Sequence, residues 1–130
     1  MKSELRQMRK QGSGAIVNCS SIGGIVGGAR RGTYQASKHG VLGLTKAAAL
    51  EYAEQNIRVN ALVPGTVLTE MLKAGPLATP QSAAEIVASI PMKRVASVEE
   101  VAGAALWLAS DMATYVTDVA LPVDGGYLIS

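Results

Sequence analysis

The 130-residue sequence has no phenylalanine and only one tryptophan, one cysteine and one histidine. With aromatics at 4% of the chain, its core must be built from Ala, Val, Leu and Ile. Such residues favour helices layered on a sheet over an all-β sandwich. The single cysteine, Cys19, excludes an internal disulfide and suits a reducing, cytoplasmic setting. It lies at the end of an apolar run, where a small buried filler is expected. No apolar stretch approaches the roughly 20 residues that a membrane span requires, so no membrane partner is expected. Met1 to Gly12 is charged and has no apolar h-region, so no signal peptide is expected there. Charge is scarce too: 17% of residues, net +2. The one basic cluster, Lys2, Arg6, Arg9 and Lys10, has no interleaved aromatics to stack bases. It reads as a solvated helix face, and no nucleic-acid partner or metal site is expected.

Glycine, by contrast, is plentiful, with 14 residues. Residues 3–11 read as the end of a helix, with basic residues in the last turn and Gly12 and Gly14 as stops. Ala15–Asn18 reads as a short strand leading into Cys19-Ser20-Ser21 and a glycine-rich loop holding Gly23, Gly24, Gly27, Gly28 and Gly32. A long helix is expected from Thr33, as N-cap, to about Glu54. Its apolar residues, Val41 to Ala53, cover most of the circumference, so burial on more than one side is expected. A sheet would cover one face and a second subunit the other, with Gly40, Gly43 and Ala47 allowing close approach. Ile57–Val63 reads as a second strand closed by Pro64-Gly65, followed by an irregular segment, 66–78. Thr79-Pro80 is a cap and first position for a short helix to Ile90. Ser97 and Glu100 form a capping box for a helix to about Ala109. Val119–Val123 is a third strand, closed by Asp124-Gly125-Gly126. Strands separated by helices imply right-handed crossovers and a parallel sheet.

The chemistry centres on Tyr34-Gln35-Ala36-Ser37-Lys38. A Tyr and a Lys four residues apart share one helix face. A cation about 4 Å from a phenolate, at an effective dielectric near 20, stabilises it by roughly 4 kcal/mol. A phenol so placed suits general acid–base work near neutrality. Alone, this spacing is weak, because it also arises where a surface Lys lies past a half-buried Tyr. Further features add weight. Ser21 ends the first strand thirteen residues before Tyr34, where its hydroxyl can meet the same substrate oxygen. Pro64-Gly65-Thr66-Val67-Leu68-Thr69 follows the second strand, at a carboxyl end of the kind where open parallel sheets bind ligands. A serine-hydrolase reading using Ser21, His39 and Asp124 lacks the Gly-x-Ser-x-Gly elbow.

Four ordered stretches resemble the short-chain dehydrogenases/reductases: Ile16-Val17-Asn18-Cys19-Ser20-Ser21, Tyr34-Gln35-Ala36-Ser37-Lys38, Ile57 to Gly65, and Val123-Asp124-Gly125-Gly126. The resemblance implies the C-terminal part of a Rossmann-like, doubly wound parallel α/β sheet, with about three strands, flanking helices and no N-terminal βαβ half. Residues 1–130 would form one partial domain. Within it, 1–14 would be the end of an interface helix and 15–65 the catalytic strand–helix–strand. Residues 66–96 would be a mobile substrate lid, and 97–130 the last helix and strand. The implied activity is NAD(P)-dependent interconversion of a secondary alcohol and a ketone. Tyr34 would be the acid/base, Lys38 its tuning cation and ribose ligand, and Ser21 the substrate-oxygen ligand. Pro64, Gly65, Val67 and Thr69 would hold the cofactor, NAD or NADP. Helix 33–54 and the C-terminal helix and strand would build a homo-oligomer. The alternative is an inactive oligomerisation module derived from the same fold.

The sequence departs from the family pattern in ways that bear on this. It has no glycine-rich turn after a first strand, no Asn-Asn-Ala-Gly motif and no catalytic Asn on the helix that follows. The residue that selects NAD or NADP is likewise not among these 130. A partial form of a longer enzyme is therefore expected, without the adenosine-binding half. Asp118 stands where the family usually has Gly. A positive φ there would be tolerated by Asp less well than by Gly.

Overall fold

Three parallel strands in the order β1–β2–β3 organise the computed structural model, which describes residues 1–130. They are β1 (Gly14–Cys19), β2 (Ile57–Pro64) and β3 (Ala120–Val123). Helix α1 (Lys2–Gln11) enters β1, and α2 (Gly32–Tyr52) crosses from β1 to β2. Between β2 and β3 come α3 (Glu70–Ala74), α4 (Pro80–Ala88) and α5 (Val98–Ala109). The β1–β2 register runs from Gly14 opposite Ile57 to Cys19 opposite Leu62. β2 pairs with β3 from Ala61 opposite Ala120 to Pro64 opposite Val123. The expected α/β class and parallel three-stranded sheet are observed.

The boundaries follow local chemistry. Gly12 ends α1 in the left-handed conformation at φ 78°, its N–H bonded to Met8 O. Thr79 caps α4 through Ser82 N, with Pro80 at the first turn. Ser97 and Glu100 form the reciprocal capping box of α5.

The core is centred on β2, whose residues 57 and 59–63 are all buried. Ala48 and Ala49 of α2, Leu5 of α1, and Ile57 and Val59 form one apolar cluster beneath it. Leu108 of α5 is fully buried on the other side. Two polar side chains bind the chain after α5 to this strand. Asn60, fully buried, donates to Val116 O and accepts from Val119 N. Arg58 donates to the carbonyls of Leu108, Ser110 and Val116. Buried polar groups persist in a core when each finds its partner.

Several expectations need correction. Cys19 is exposed, not a buried filler, because it ends a strand paired on one side only. Thr33 is not the cap of α2; the helix begins at Gly32, with Arg31 in the cap position and no side-chain cap. The expectation for α2 is met on the sheet side, through Thr45, Ala48 and Ala49; the face expected to meet a second subunit is not tested by one chain. That face is open: Leu50 is 85% exposed, and a Cβ at Gly40 or Gly43 would meet nothing within 4 Å. Segment 66–78 is not wholly irregular. It contains α3, whose cap Thr69 accepts from Leu72 N. The third strand starts at Ala120, one residue late, because Asp118 takes φ 61° and kinks the approach.

Candidate active site

The carboxyl ends of β1 and β2 and the first turns of α2 converge on one cavity of about 620 Å³. Ser20 and Ser21 divide the work at the β1 tip, because successive strand side chains point to opposite faces. Ser20 extends the ladder through its N–H to Leu62 O at 2.8 Å. Its buried hydroxyl donates to Lys38 O at 2.9 Å, tying the strand tip to α2. Ser21 faces the cavity, and its Oγ accepts the N–H of Gly23 at 3.1 Å. Accepting that bond leaves the Ser21 O–H proton free to donate outward. Gly24 has to be glycine, because a Cβ there would stand 2.8 Å from Lys38 O.

Tyr34 lies on the cavity wall and is 49% exposed. Lys38, one turn on, sets its Nζ 5.7 Å from the Tyr34 ring centroid and donates to Cys19 O at 3.0 Å. Lys38 is not itself a wall residue. His39 lies outside the cavity lining, exposed, with Nδ1 2.9 Å from Gln35 O.

The β2 tip supplies the wall opposite the loop after β1. Pro64 is the last residue of β2; Gly65 and Thr66 line the cavity. Gly65 packs so closely on Asp124 that a Cβ would lie 2.8 Å from Asp124 Cα. Val67 and Thr69 lie outside the lining. Val67 bridges to Ala96, and the Thr69 hydroxyl caps α3. Leu68 N bonds Ala96 O, and Ala96 N bonds Thr66 O. The intervening excursion therefore leaves and returns at one point, and it contributes Leu72 and Pro76 to the cavity. Of the seven residues singled out in the sequence, Ser21, Tyr34 and Gly65 share the wall, Lys38 stands against Tyr34, and Pro64, Val67 and Thr69 lie to the side.

Sequence spacing missed Arg31, Gln35 and Tyr127, which also line the cavity. Gln35 is fixed by donation to Val26 O at 3.1 Å. Tyr127 arrives through a turn that Asp124 holds by accepting from Gly126 N and Leu128 N, both at 2.9 Å. Gly125 and Gly126 take φ 65° and 87° there. Arg31 had a local signal, standing three residues before Tyr34 at the head of the helix.

A parallel sheet flanked by helices, with a cavity at the carboxyl ends of its strands, defines a class: α/β proteins of the Rossmann-like type. Residues 1–128 match the family profile described as enoyl-(acyl carrier protein) reductase. The chain belongs to the short-chain dehydrogenase/reductase family, a family of oxidoreductases. It is 40% identical to levodione reductase of Leifsonia aquatica over 97% of this chain and 49% of that protein. It is 48% identical to cis-4-hydroxycyclohexanecarboxylate dehydrogenase of Sinomonas cyclohexanicum over 97% of this chain and 49% of that protein. Among solved structures, ElxO with bound NADP aligns at TM-score 0.93 and 38% identity, covering 100% of this chain and 52% of that one. The chain spans about half the length of the relatives it matches. No helix is long and apolar enough to cross a membrane.

Proposed function

We propose that these residues supply the proton-transfer site of an NAD(P)-dependent oxidoreductase interconverting a secondary alcohol and a ketone. The observation that carries this reading is the opening of Ser21 and Tyr34 onto one cavity at the strand tips, with the Lys38 cation against the Tyr34 ring. The nicotinamide, when bound, supplies the hydride that reduces the carbonyl carbon. Tyr34 gives its phenolic proton to the carbonyl oxygen and regains one from solvent, which its half-exposed ring reaches. The free Ser21 O–H donates to the same oxygen and holds it beside Tyr34. Lys38 spends one N–H on Cys19 O and keeps two donors for the cofactor ribose.

The donor set fits the nicotinamide end of the cofactor: Lys38, with Gly65 and Thr66 at the β2 tip. NADP in a solved relative supports this fit. Leu72, Pro76 and Val26 make one side of the cavity apolar, which suits an alicyclic alcohol such as the one named for the cyclohexanecarboxylate relative. The unpaired Cys19 thiol suits a cytoplasmic setting.

The test is Tyr34→Phe in the protein as it is naturally encoded, assayed by nicotinamide absorbance with a panel of cyclic ketones. Losing the ionisable oxygen should lower kcat/KM by about 100-fold or more. Unchanged turnover refutes the assignment.

A second reading, a non-catalytic oligomerisation module, draws on the open face of α2. Exposed Leu44 and Leu50 and the uncovered Gly40 and Gly43 suit a second copy of the chain there. A homo-oligomer is compatible with both readings. A strictly monomeric chain by light scattering eliminates the module.

A further inference from the structure

Fifteen residues line the cavity at Tyr34, and Arg31 is the sole charged one among them. No carboxylate faces it. Arg31 takes part in none of the ion pairs of the chain, and its guanidinium makes no hydrogen bond to protein. Its stem runs along the glycine-rich loop, with Cδ 3.9 Å from the point a Cβ on Gly28 would occupy. Arg58 and Arg94 are engaged, with three carbonyls and with Glu100; of the arginines without a protein partner, Arg31 is the one that lines this cavity. A guanidinium offers a planar fork of donors that matches a carboxylate in two places. Lys38 adds a second positive charge near the same phenol. A cleft whose nearby charges share one sign concentrates ligands of the opposite sign.

We propose that Arg31 selects the substrate: the site takes an oxo- or hydroxycarboxylate, its carboxylate held by Arg31 and its carbonyl or carbinol oxygen by Ser21 and Tyr34. Arg31 holds the N-cap position of α2 and Tyr34 stands in its first turn, and both line the same cavity. A ligand within that cavity can meet both groups. The apolar wall of Ile22, Val26 and Leu72 faces the carbon skeleton between them. The inference rests on the redox reading only for which end of the ligand reacts; the charge preference stands or falls separately.

The probes are 4-oxopentanoate and its methyl ester, a matched pair differing in the one charge. Their dissociation constants are read by ligand-observed NMR on the natural protein, with no turnover needed. The acid should bind about tenfold or more tightly than the ester. Arg31→Gln should bring the ratio close to one, Arg31→Lys should restore part of it, and Arg30→Gln, outside the cavity wall, should leave it unchanged. Equal affinity for acid and ester, an acid preference that survives Arg31→Gln, or binding of neither probe overturns the proposal. Tyr34→Phe separates the two readings, because it should abolish turnover while leaving the acid preference intact.

Discussion

β2 and β1 lie side by side in one sheet, yet within these residues their surroundings differ. β2 is flanked by strands on both edges and is buried along nearly its whole length. β1 is paired on one edge, is only partly buried, and ends in an exposed cysteine. The polar residues of each strand reflect this. Those of β2, Arg58 and Asn60, spend their hydrogen bonds internally, on the chain between α5 and β3. Those at the β1 tip split: Ser20 turns inward to α2, and Ser21 turns outward to the cavity. A cavity-facing hydroxyl is therefore displayed at the rim by a strand tip that pairs with the central strand.

The severest way to break this contrast is Asn60→Leu, which orphans Val119 N, while Val116 O keeps only its longer bond from Arg58. We expect a loss of about 1–3 kcal/mol in denaturant unfolding, the cost of one orphaned buried group. A loss under half a kcal/mol would mean that water replaces Asn60 and that β2 is not the sealed strand described. Next comes the serine pair. Ser20→Ala should destabilise by about 0.5–1.5 kcal/mol, because it removes the hydrogen bond that ties the strand tip to Lys38 O of α2. Ser21→Ala should cost less stability but lower turnover by about 100-fold, by removing a donor to the reacting oxygen. Reversal of that pattern would exchange the two roles.

Asp118→Gly tests the joint between β2 and β3. Asp118 holds φ 61° while its N–H bonds Val59 O at 2.9 Å. Glycine carries no steric penalty there, so the melting temperature should rise, by an amount equivalent to up to about 1 kcal/mol. A fall would show that the Asp side chain contributes more than its backbone strain costs. The smallest effect lies on the surface at α5. The Arg94 guanidinium, helped by the Ser97 N–H, holds the Glu100 carboxyl at about 2. Its ordinary value is about 4.3. A depressed folded value means that the ionised form is favoured by folding. The contribution is complete above about pH 5 and is lost as the pH falls towards 2. Solvent and salt screen this exposed pair, so the shift in melting temperature is small. Glu100→Gln should remove it, and the melting curves of the two proteins should converge at the acid end. Parallel curves down to the lowest pH would show that the pair contributes nothing.

Much of this was legible along the chain because it depends on near neighbours. The Thr79 and Ser97 caps, the Gly12 stop and the Tyr34–Lys38 pairing all rest on contacts within about a helical turn. The left-handed Asp118 was visible as an Asp in a glycine position. Thr69 was read only as a loop residue, although a Thr followed by Glu-Met-Leu is also a cap signal, and α3 is what it caps. Cys19 was misread because its exposure depends on how many strands flank β1, which no local pattern encodes. Arg31 and Tyr127 carry no spacing signal that joins them; ninety-six positions separate them on the chain, yet they line one cavity.

The sequence by itself determined the alternation of strands and helices, the parallel sheet they imply, and the helix-turn pairing of Tyr34 with Lys38, because hydrophobic period, caps and motif spacing are local properties. Only the tertiary structure decided which serine faces the cavity and which anchors α2. It also decided which arginine lines that cavity, and that a turn after β3 brings Tyr127 to it beside a helix begun at Gly32. Those outcomes depend on long-range packing, where the pleat of a strand, the register of a sheet and the close contact of Gly65 with Asp124 fix directions that residue order alone leaves open.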